Sequence, residues 1–444
     1  MQRVTGACGS TTARGSRNAP RTILVAAVVA VACAVAGTPA AAQGDPTLYC
    51  TAEGGPLGAL TDLEHSVLLG EAPLPAGLRS RQVSVEGVST RVIEGGSPDA
   101  EHAVVFVHGN PGSARDFDDL VAAGGEFTRT VAFDISGYGE SDHFATHVQS
   151  TEGAARFIGG VLDELGIRRA VLAAHDFGGV WGLNWAVEHP SRLTAAVLIN
   201  AGVLIDYVPH PFAVVWSNPG AGEAHMASTT REGFNRTLQS ANPRGLPRDY
   251  VDRMYDGYDR ATRCAALRYY RSAIRLENAD MGRRQAAALR EDPRPALVIW
   301  GDKDIFIPSK HAQDQREAFP DAQIHVLEDS GHWPFVDNAE RTRELFVSFL
   351  RPTLAVLRPR AGRGGRRLRV PVRADGVVPA QDVRARTGRR ASRSVGEVSG
   401  RRVLRLRLRR PLRPGRHVVA VSARGLPEQR VTFRVQRRAA AGRR

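Results

Sequence analysis

From residue 103 onward, short apolar runs recur along the chain with helix-period segments between them. Runs at 103–107, 130–133, 170–174, 195–199, 296–300 and 323–327 are rich in Val, Ile, Leu and Ala with few polar positions, the pattern of central parallel strands covered on both faces. Ahead of them, 81–85 and 89–93 alternate apolar with polar residues, as paired antiparallel strands do. Strands alternating with helices predict an α/β architecture with a mostly parallel sheet, and a ligand site at the carboxyl ends of its strands.

The rhythm breaks between 200 and 296, far longer than the few residues that such connections usually take. Segments 224–239, 248–258 and 260–274 read as helices rich in Arg, Tyr and Met. A helical cap at about 203–292 is expected, excluding water and shaping a pocket. A helix at 339–350 closes the unit 81–350. Residues 351–367, dense in Pro, Gly and Arg, read as a linker. Beyond it 369–373, 383–386, 401–408, 417–422 and 430–435 alternate apolar with Arg or polar residues, which predicts a small antiparallel β-sandwich over 368–437, with a basic tail at 438–444. The regular alternation sets this module apart from an Arg-rich disordered tail.

Charge separates the two parts. From residue 351 onward there are 28 arginines against four acids, a net of +24 that exceeds the chain's total of +14 and leaves residues 1–350 at −10. Only Lys303 and Lys310 are lysines, so the basic bias is almost entirely Arg. An excess of this size on a small module invites an anionic partner such as a cell-surface polymer or lipid headgroups. Phe433 is the module's one aromatic residue, so stacking on bases is not expected, and no specific nucleic acid is. A solvated β-domain in an Arg-biased proteome is the plainer reading, and docking onto the acidic remainder of the chain is a third.

Arg14, Arg17 and Arg21 precede the apolar run 23–36, and Ala40-Ala41-Ala42 offers a cleavage site. Residues 1–42 therefore read as a secretory signal, followed by a leader at 43–80, and the mature protein is expected outside the cell or at its surface. Removal of 1–42 would leave Cys50 and Cys264, which can pair in an oxidising compartment or remain buried thiols. Neither lies at metal-ligand spacing from a His or another Cys. No metal and no cofactor are expected.

Four motifs carry chemistry, each at the end of a strand: His108-Gly109-Asn110-Pro111-Gly112, Asp134-Ile135-Ser136-Gly137-Tyr138-Gly139-Glu140-Ser141-Asp142, Ala174-His175-Asp176-Phe177-Gly178, and Ser330-Gly331-His332-Trp333. The third has the form small-x-nucleophile-x-Gly, a strained strand-to-helix turn that admits only small residues two positions either side of the nucleophile. With these motifs in this order, 81–350 resembles the α/β-hydrolases with an aspartate nucleophile, the epoxide hydrolases and haloalkane dehalogenases. The resemblance implies that Asp176 attacks an electrophilic carbon to form an alkyl ester, and that His332 activates the water that cleaves it. A helix N-cap is the structural alternative for Asp176, and a surface position the alternative for His332.

The histidine needs a carboxylate on its far nitrogen. Asp304 is the choice by the family pattern, with Asp302 its rival and Asp206 the nearest acid after the preceding strand. The backbone N–H groups of Asn110 and Phe177 are expected to form the oxyanion hole. Similar haloalkane dehalogenases hold the halide with Asn110's counterpart and a Trp directly after the nucleophile. Here that position is Phe177, which leaves a donor missing unless Trp216 replaces it. Similar epoxide hydrolases donate to the ring oxygen from two cap tyrosines. Tyr270 is the candidate for one, and the partner position falls on Phe212, with Tyr207, Tyr255 or Tyr258 as substitutes; ordinary helix packing is the alternative for each. Epoxide hydrolysis is the first expectation, haloalkane dehalogenation the second, and a surface-binding protein with a vestigial hydrolase core a third of another class.

Overall fold

The computed structural model describes residues 73–436, save 144, 276–277, 363–365, 389 and 392–394. The expected signal segment, Cys50 and the tail from 438 lie outside the described residues. Cys264, buried and disulfide-bonded, lies within them.

Eight strands form one sheet in the order β1-β2-β4-β3-β5-β6-β7-β8: β1 (Arg79–Val85), β2 (Val88–Gly95), β3 (His102–Val107), β4 (Arg129–Phe133), β5 (Arg169–His175), β6 (Leu193–Ile199), β7 (Ala296–Gly301) and β8 (Gln323–Leu327). β1, β2 and β4 pair antiparallel and the rest are parallel. Glu86 and Gly87 join β1 to β2 with φ of 52° and 79°, the left-handed pair that a two-residue hairpin turn demands. The apolar runs of β3, β5, β6 and β7 are buried almost throughout, because helices cover both faces. Edge strand β1 keeps Arg79, Arg81 and Gln82 in solvent, which discourages pairing with another chain.

Flanking the sheet are α1 (Asp118–Gly125), α2 (Thr151–Glu164), α3 (Phe177–Glu188), α10 (His311–Ala318), α11 (Pro334–Asp337) and α12 (Ala339–Leu350). Between β6 and β7 the described residues make six α-helices: α4 (Pro211–Ser217), α5 (Ala221–Ser228), α6 (Arg231–Ser240), α7 (Arg248–Asp256), α8 (Arg260–Ala273) and α9 (Met281–Arg290). The single helix expected at 224–239 is two, because the Thr230 hydroxyl accepts from Gly233 N and starts α6 afresh. α8 is the insertion's main contact with the β4 loop. Gly137 leaves room for it, since a Cβ there would stand 2.3 Å from Ala265 Cβ, and the Tyr269 hydroxyl donates to Ser136 O at 3.0 Å.

The remaining strands form two antiparallel sheets. One holds β9 (Thr353–Val356), β10 (Arg360–Ala361), β11 (Arg367–Asp375) and β15 (Gly400–Arg407); the other holds β12 (Ala380–Thr387), β13 (Arg390–Ala391), β14 (Val395–Val398), β16 (Gly415–Ser422) and β17 (Gln429–Val435). Inward residues of both, among them Leu368, Val370, Leu404, Leu406, Val419 and Phe433, share one apolar cluster. The stretch 351–367, read above as linker, instead supplies β9 and β10, both paired with β11. No helix among the described residues is long and apolar enough to cross a membrane.

Candidate functional site

Asp176 follows β5 with φ 50° and ψ −123°, a backbone conformation that costs a non-glycine residue energy and is held only by its surroundings. The close packing behind it explains the neighbouring glycines. A Cβ on Gly178 would stand 2.0 Å from Val107 O, and one on Gly109 2.3 Å from Asp176 Cβ. Although Asp176 stands at the N-cap of α3, its side chain makes no capping bond. It points the other way, accepting at Oδ1 from Asn110 N at 2.8 Å and lying with Oδ2 3.4 Å from His332 Nε2.

On its far side His332 Nδ1 is 2.7 Å from Asp304 Oδ2. The other Asp304 oxygen accepts from Phe306 N and Ile307 N at 2.8 and 3.0 Å, and Asn200 Nδ2 donates to Oδ2 at 2.6 Å. So surrounded by donors, Asp304 accepts from the imidazole and fixes Nδ1 as its protonated nitrogen. The rivals point elsewhere: Asp302 pairs with Lys303, and Asp206, on the surface, pairs with Arg283. Burial acts against ionisation of Asp176, but the bond to His332, its charge and the Asn110 amide outweigh it and hold the carboxyl below its ordinary value. His332 moves the opposite way. Burial would lower it, yet the Asp304 charge and the bonds to both carboxylates raise it. The arrangement is a buried Asp–His–Asp relay, each member ending a different strand.

The first two motifs act as scaffold for it. His108 accepts at Nε2 from Ile135 N at 3.0 Å and faces Gly109 O from Nδ1 at 2.8 Å, which ties the loop after β3 to the loop after β4. Asp134 accepts from Ala114 N, Glu140 N and Arg91 Nε at 2.7, 2.9 and 3.0 Å. Gly139, with φ 54°, passes so close that a Cβ would stand 2.4 Å from the Asp134 carboxylate. The Asn110 amide N–H is thereby aimed at Asp176. Phe177 opens α3, where the first backbone N–H groups have no intrahelical acceptor.

A cavity of about 360 Å³ opens over Asp176, lined in part by Phe177, Tyr207, His210, Tyr270 and Ile307. Tyr270 is buried, edge-on to Phe177 at 4.7 Å and to Trp216 at 4.9 Å. Its hydroxyl accepts from Asn110 Nδ2 at 3.5 Å, so its own hydrogen is available to the cavity. Asn110 Oδ1 accepts the hydroxyls of Tyr138 and Tyr258 at 3.1 and 3.0 Å, which commits the amide to three tyrosines. Trp216 Nε1 donates to His225 Nδ1 at 3.0 Å and not to the cavity. Phe212 stacks on Trp216. Tyr207 donates to Phe306 O at 3.1 Å, and Tyr255 to Thr229 O at 3.3 Å.

One residue in the cavity escaped the sequence reading. His210 sits between Pro209 and Pro211 as the N-cap of α4, where its Nδ1 accepts from Ala213 N at 3.2 Å. That bond leaves the proton on Nε2, and burial depresses the ring to about 4, so it stays neutral. A histidine between prolines at the head of a helix was the available signal. Among the described residues no group of three or more His, Cys, Asp or Glu could hold a metal ion.

Known proteins share this frame. The chain is 28% identical over 302 residues to a 2-hydroxy-6-oxononadienedioate/2-hydroxy-6-oxononatrienedioate hydrolase of Burkholderia vietnamiensis, covering 61% of this chain and 96% of that one. It is 26% identical to a 2-hydroxy-6-oxo-6-phenylhexa-2,4-dienoate hydrolase of Comamonas testosteroni, over 61% and 95%. Among solved structures it is similar to the Cif epoxide hydrolase from Acinetobacter nosocomialis, with TM-score 0.55 and 18% identity over 71% of this chain and 99% of that one. An epoxide hydrolase from Vigna radiata gives 0.53 and 21% over 62% and 97%. Residues 104–345, which run from β3 into α12 and include the elbow, the insertion and the histidine loop, match the family model, and the chain belongs to the alpha/beta hydrolase family.

Proposed function

We propose that the protein is a secreted epoxide hydrolase in which helices α4–α9 form the cap. Asp176 Oδ2 attacks a ring carbon, the ring oxygen leaves as an alkoxide, and an alkyl ester forms on Asp176. Tyr270 and the Nε2–H of His210 donate to that oxygen as charge develops. His332 then takes a proton from water, and the hydroxide adds to Asp176 Cγ. The charge on Oδ1 is met by the N–H groups of Asn110 and Phe177. Collapse breaks the Cγ–Oδ2 bond; the expelled oxygen takes the hydroxyl proton of the adduct, the ring-derived alkoxide takes the proton that His332 drew from water, and the diol leaves with the carboxylate restored. Once Asp176 is esterified it no longer holds a proton on His332, so the imidazole is released to act as base.

The observation that carries this reading is the pairing of a strained, ionised Asp176 with two neutral donors in one cavity. The relatives named as dienoate hydrolases favour a carbonyl substrate. Against that, a carboxylate adding to a ketone is readily expelled again, whereas displacement at saturated carbon is not reversed. Dehalogenation has less support, since the Asn110 amide and the Trp216 N–H already have partners. Asn110 Nδ2 keeps one of its two hydrogens for a departing halide, but the second donor that such a site needs is engaged elsewhere.

A single turnover in heavy-oxygen water tests the mechanism. The label is expected in the peptide that contains Asp176 and absent from the first diol formed; label in that product and none in the peptide overturns it. A panel of small epoxides and haloalkanes should give diols without halide release. If Asp176→Ala leaves surface binding and biological effect unchanged, the hydrolase core is a scaffold instead.

A further inference from the structure

The outer face of the sheet formed by β10, β11 and β15 carries arginines directly opposite one another. Arg367 faces Arg407, Arg369 faces Arg405 and Arg373 faces Arg401, and Arg360 of β10 stands on the other side of Arg369. All seven are exposed, while Leu368, Val370, Leu404 and Leu406 between them point into the core. Like charges opposed across a ladder destabilise a sheet. Three such pairs in register therefore work against the fold, unless something of opposite charge lies on them.

Among the described residues only one carboxylate does, at one end of the ladder. Of the four acids after residue 350, Asp375 pairs with Arg373, Glu428 with Arg386 and Arg430, Asp382 with Arg424, and Glu397 with His102 N and Arg169. Among the described residues no carboxylate pairs with the other six ladder arginines. The module meets the hydrolase portion through a different side, where Gln381 donates to Thr128 Oγ1, Arg424 to Ser97 Oγ, and Glu397 accepts from His102 N. His102 opens β3 and Thr128 precedes β4, at the strand ends opposite Asp176. The described hydrolase portion is thus not the ladder's partner, and the cavity stays clear of the contact.

We infer that this face binds a linear, base-free phosphodiester polymer of the polyol-phosphate kind, lying along the strands. Outward side chains on a strand recur about every 7 Å and neighbouring strands lie about 5 Å apart, so the ladder is a strip on the order of 20 Å by 10 Å. That shape fits one extended polyanion, and guanidinium forks match phosphate oxygens. Bases find no platform, because Phe433 is 6% exposed and packs in the core. Between the arginines only Pro371 and Val403 face outward, too little apolar surface to enter a bilayer.

The test uses the full chain and measures the affinity of poly(glycerol phosphate) between 50 and 200 mM salt. Seven contacts predict a slope of log K against log salt of about −5 at the single-strand coefficient. Replacing Arg367, Arg369, Arg405 and Arg407 together by Gln should weaken binding at least 100-fold at 50 mM salt and bring the slope near −2. Hydrolysis should be unchanged. Replacing Arg409, Arg410, Arg416 and Arg434, which removes the same charge elsewhere on the module, should weaken it less than 3-fold. Equal loss in the two variants, a salt-independent affinity, no binding at 50 mM salt, or tighter binding to a single-stranded oligonucleotide or to acidic phospholipid vesicles would each overturn the inference. Hydrolysis lost in both variants, with binding lost only in the ladder variant, would count against the enzyme reading and support this one.

Discussion

Asp304 Oδ2 receives two hydrogen bonds, one from His332 Nδ1 at 2.7 Å and one from Asn200 Nδ2 at 2.6 Å. Oδ1 accepts from the Phe306 and Ile307 amides, so both oxygens of the side chain serve as acceptors. In Asp304→Asn the new amide keeps its oxygen on the Phe306 and Ile307 amides and turns its NH₂ toward His332. The ring proton then moves to Nε2, and the base is lost. Alkylation of Asp176 should proceed, whereas ester hydrolysis should slow by about 10⁴-fold, the scale of the same change in a serine triad. Mass analysis of the Asp176 peptide should show the ester accumulating; unmodified peptide with normal turnover would assign the relay elsewhere.

The elbow depends on the absence of two Cβ atoms. In Gly178→Ala the new carbon would meet Val107 O at 2.0 Å, and the three nearest atoms are all backbone, so relief requires α3 to move off β3. The expected loss is on the order of 3 kcal/mol or more, read as a large drop in unfolding midpoint or as insoluble protein. Gly396→Ala, with nothing within 4 Å, should leave the midpoint within a degree or two.

How far the sequence revealed this molecule follows from which signals were local. β3, β5, β6 and β7 were legible because strands buried on both faces must be apolar throughout. Asp176 and Asp304 could be named separately because each follows such a strand, and His332 because its Ser-Gly-His-Trp motif stands in the loop after edge strand β8, although their distances depend on the whole sheet. β9 and β10 were missed because four and two residues beside Pro and Gly carry no periodicity. They exist only because β11 offers them a ladder. His210 was missed for a related reason: its place in the cavity comes from the turn of α4, while the residue that sequence position favoured, Phe212, stacks away on Trp216.

Acid should affect the two chemical steps differently. The bond to His332 and its charge, working against burial, hold Asp176 below its ordinary value of 3.8, so the nucleophile is ionised above that lowered pKa and is lost only as pH falls through it. Single-turnover alkylation should therefore persist to below about pH 4. Hydrolysis of the ester requires neutral His332, which has lost one of its two carboxylate partners by then. Its acid limb should lie at higher pH than that of alkylation. Rapid-quench rates across pH 3–9 check both, and an alkylation limb above pH 5 would contradict the assignment of Asp176.

Tyr270 and His210 are asked to stabilise one developing oxyanion, and their chemistry makes the claim separable from mere packing. Tyr270→Phe keeps the ring edge-on to Phe177 and removes only the hydroxyl; His210→Phe keeps bulk and removes Nε2–H together with the Nδ1 cap on Ala213 N, so its unfolding midpoint is read beside its rates. Each should slow alkylation by about 10²–10³-fold, the usual cost of one oxyanion donor, while hydrolysis of the preformed ester is unchanged. Because burial holds His210 near 4, its contribution should be flat from pH 6 to 9. A donor that titrated as an imidazolium would instead lose effect as pH rises through its pKa. If both donors meet the same oxygen, the double variant should lose less than the product of the single losses, since an alkoxide stripped of one donor draws water in its place. Multiplicative losses would put the two groups on different atoms of the substrate.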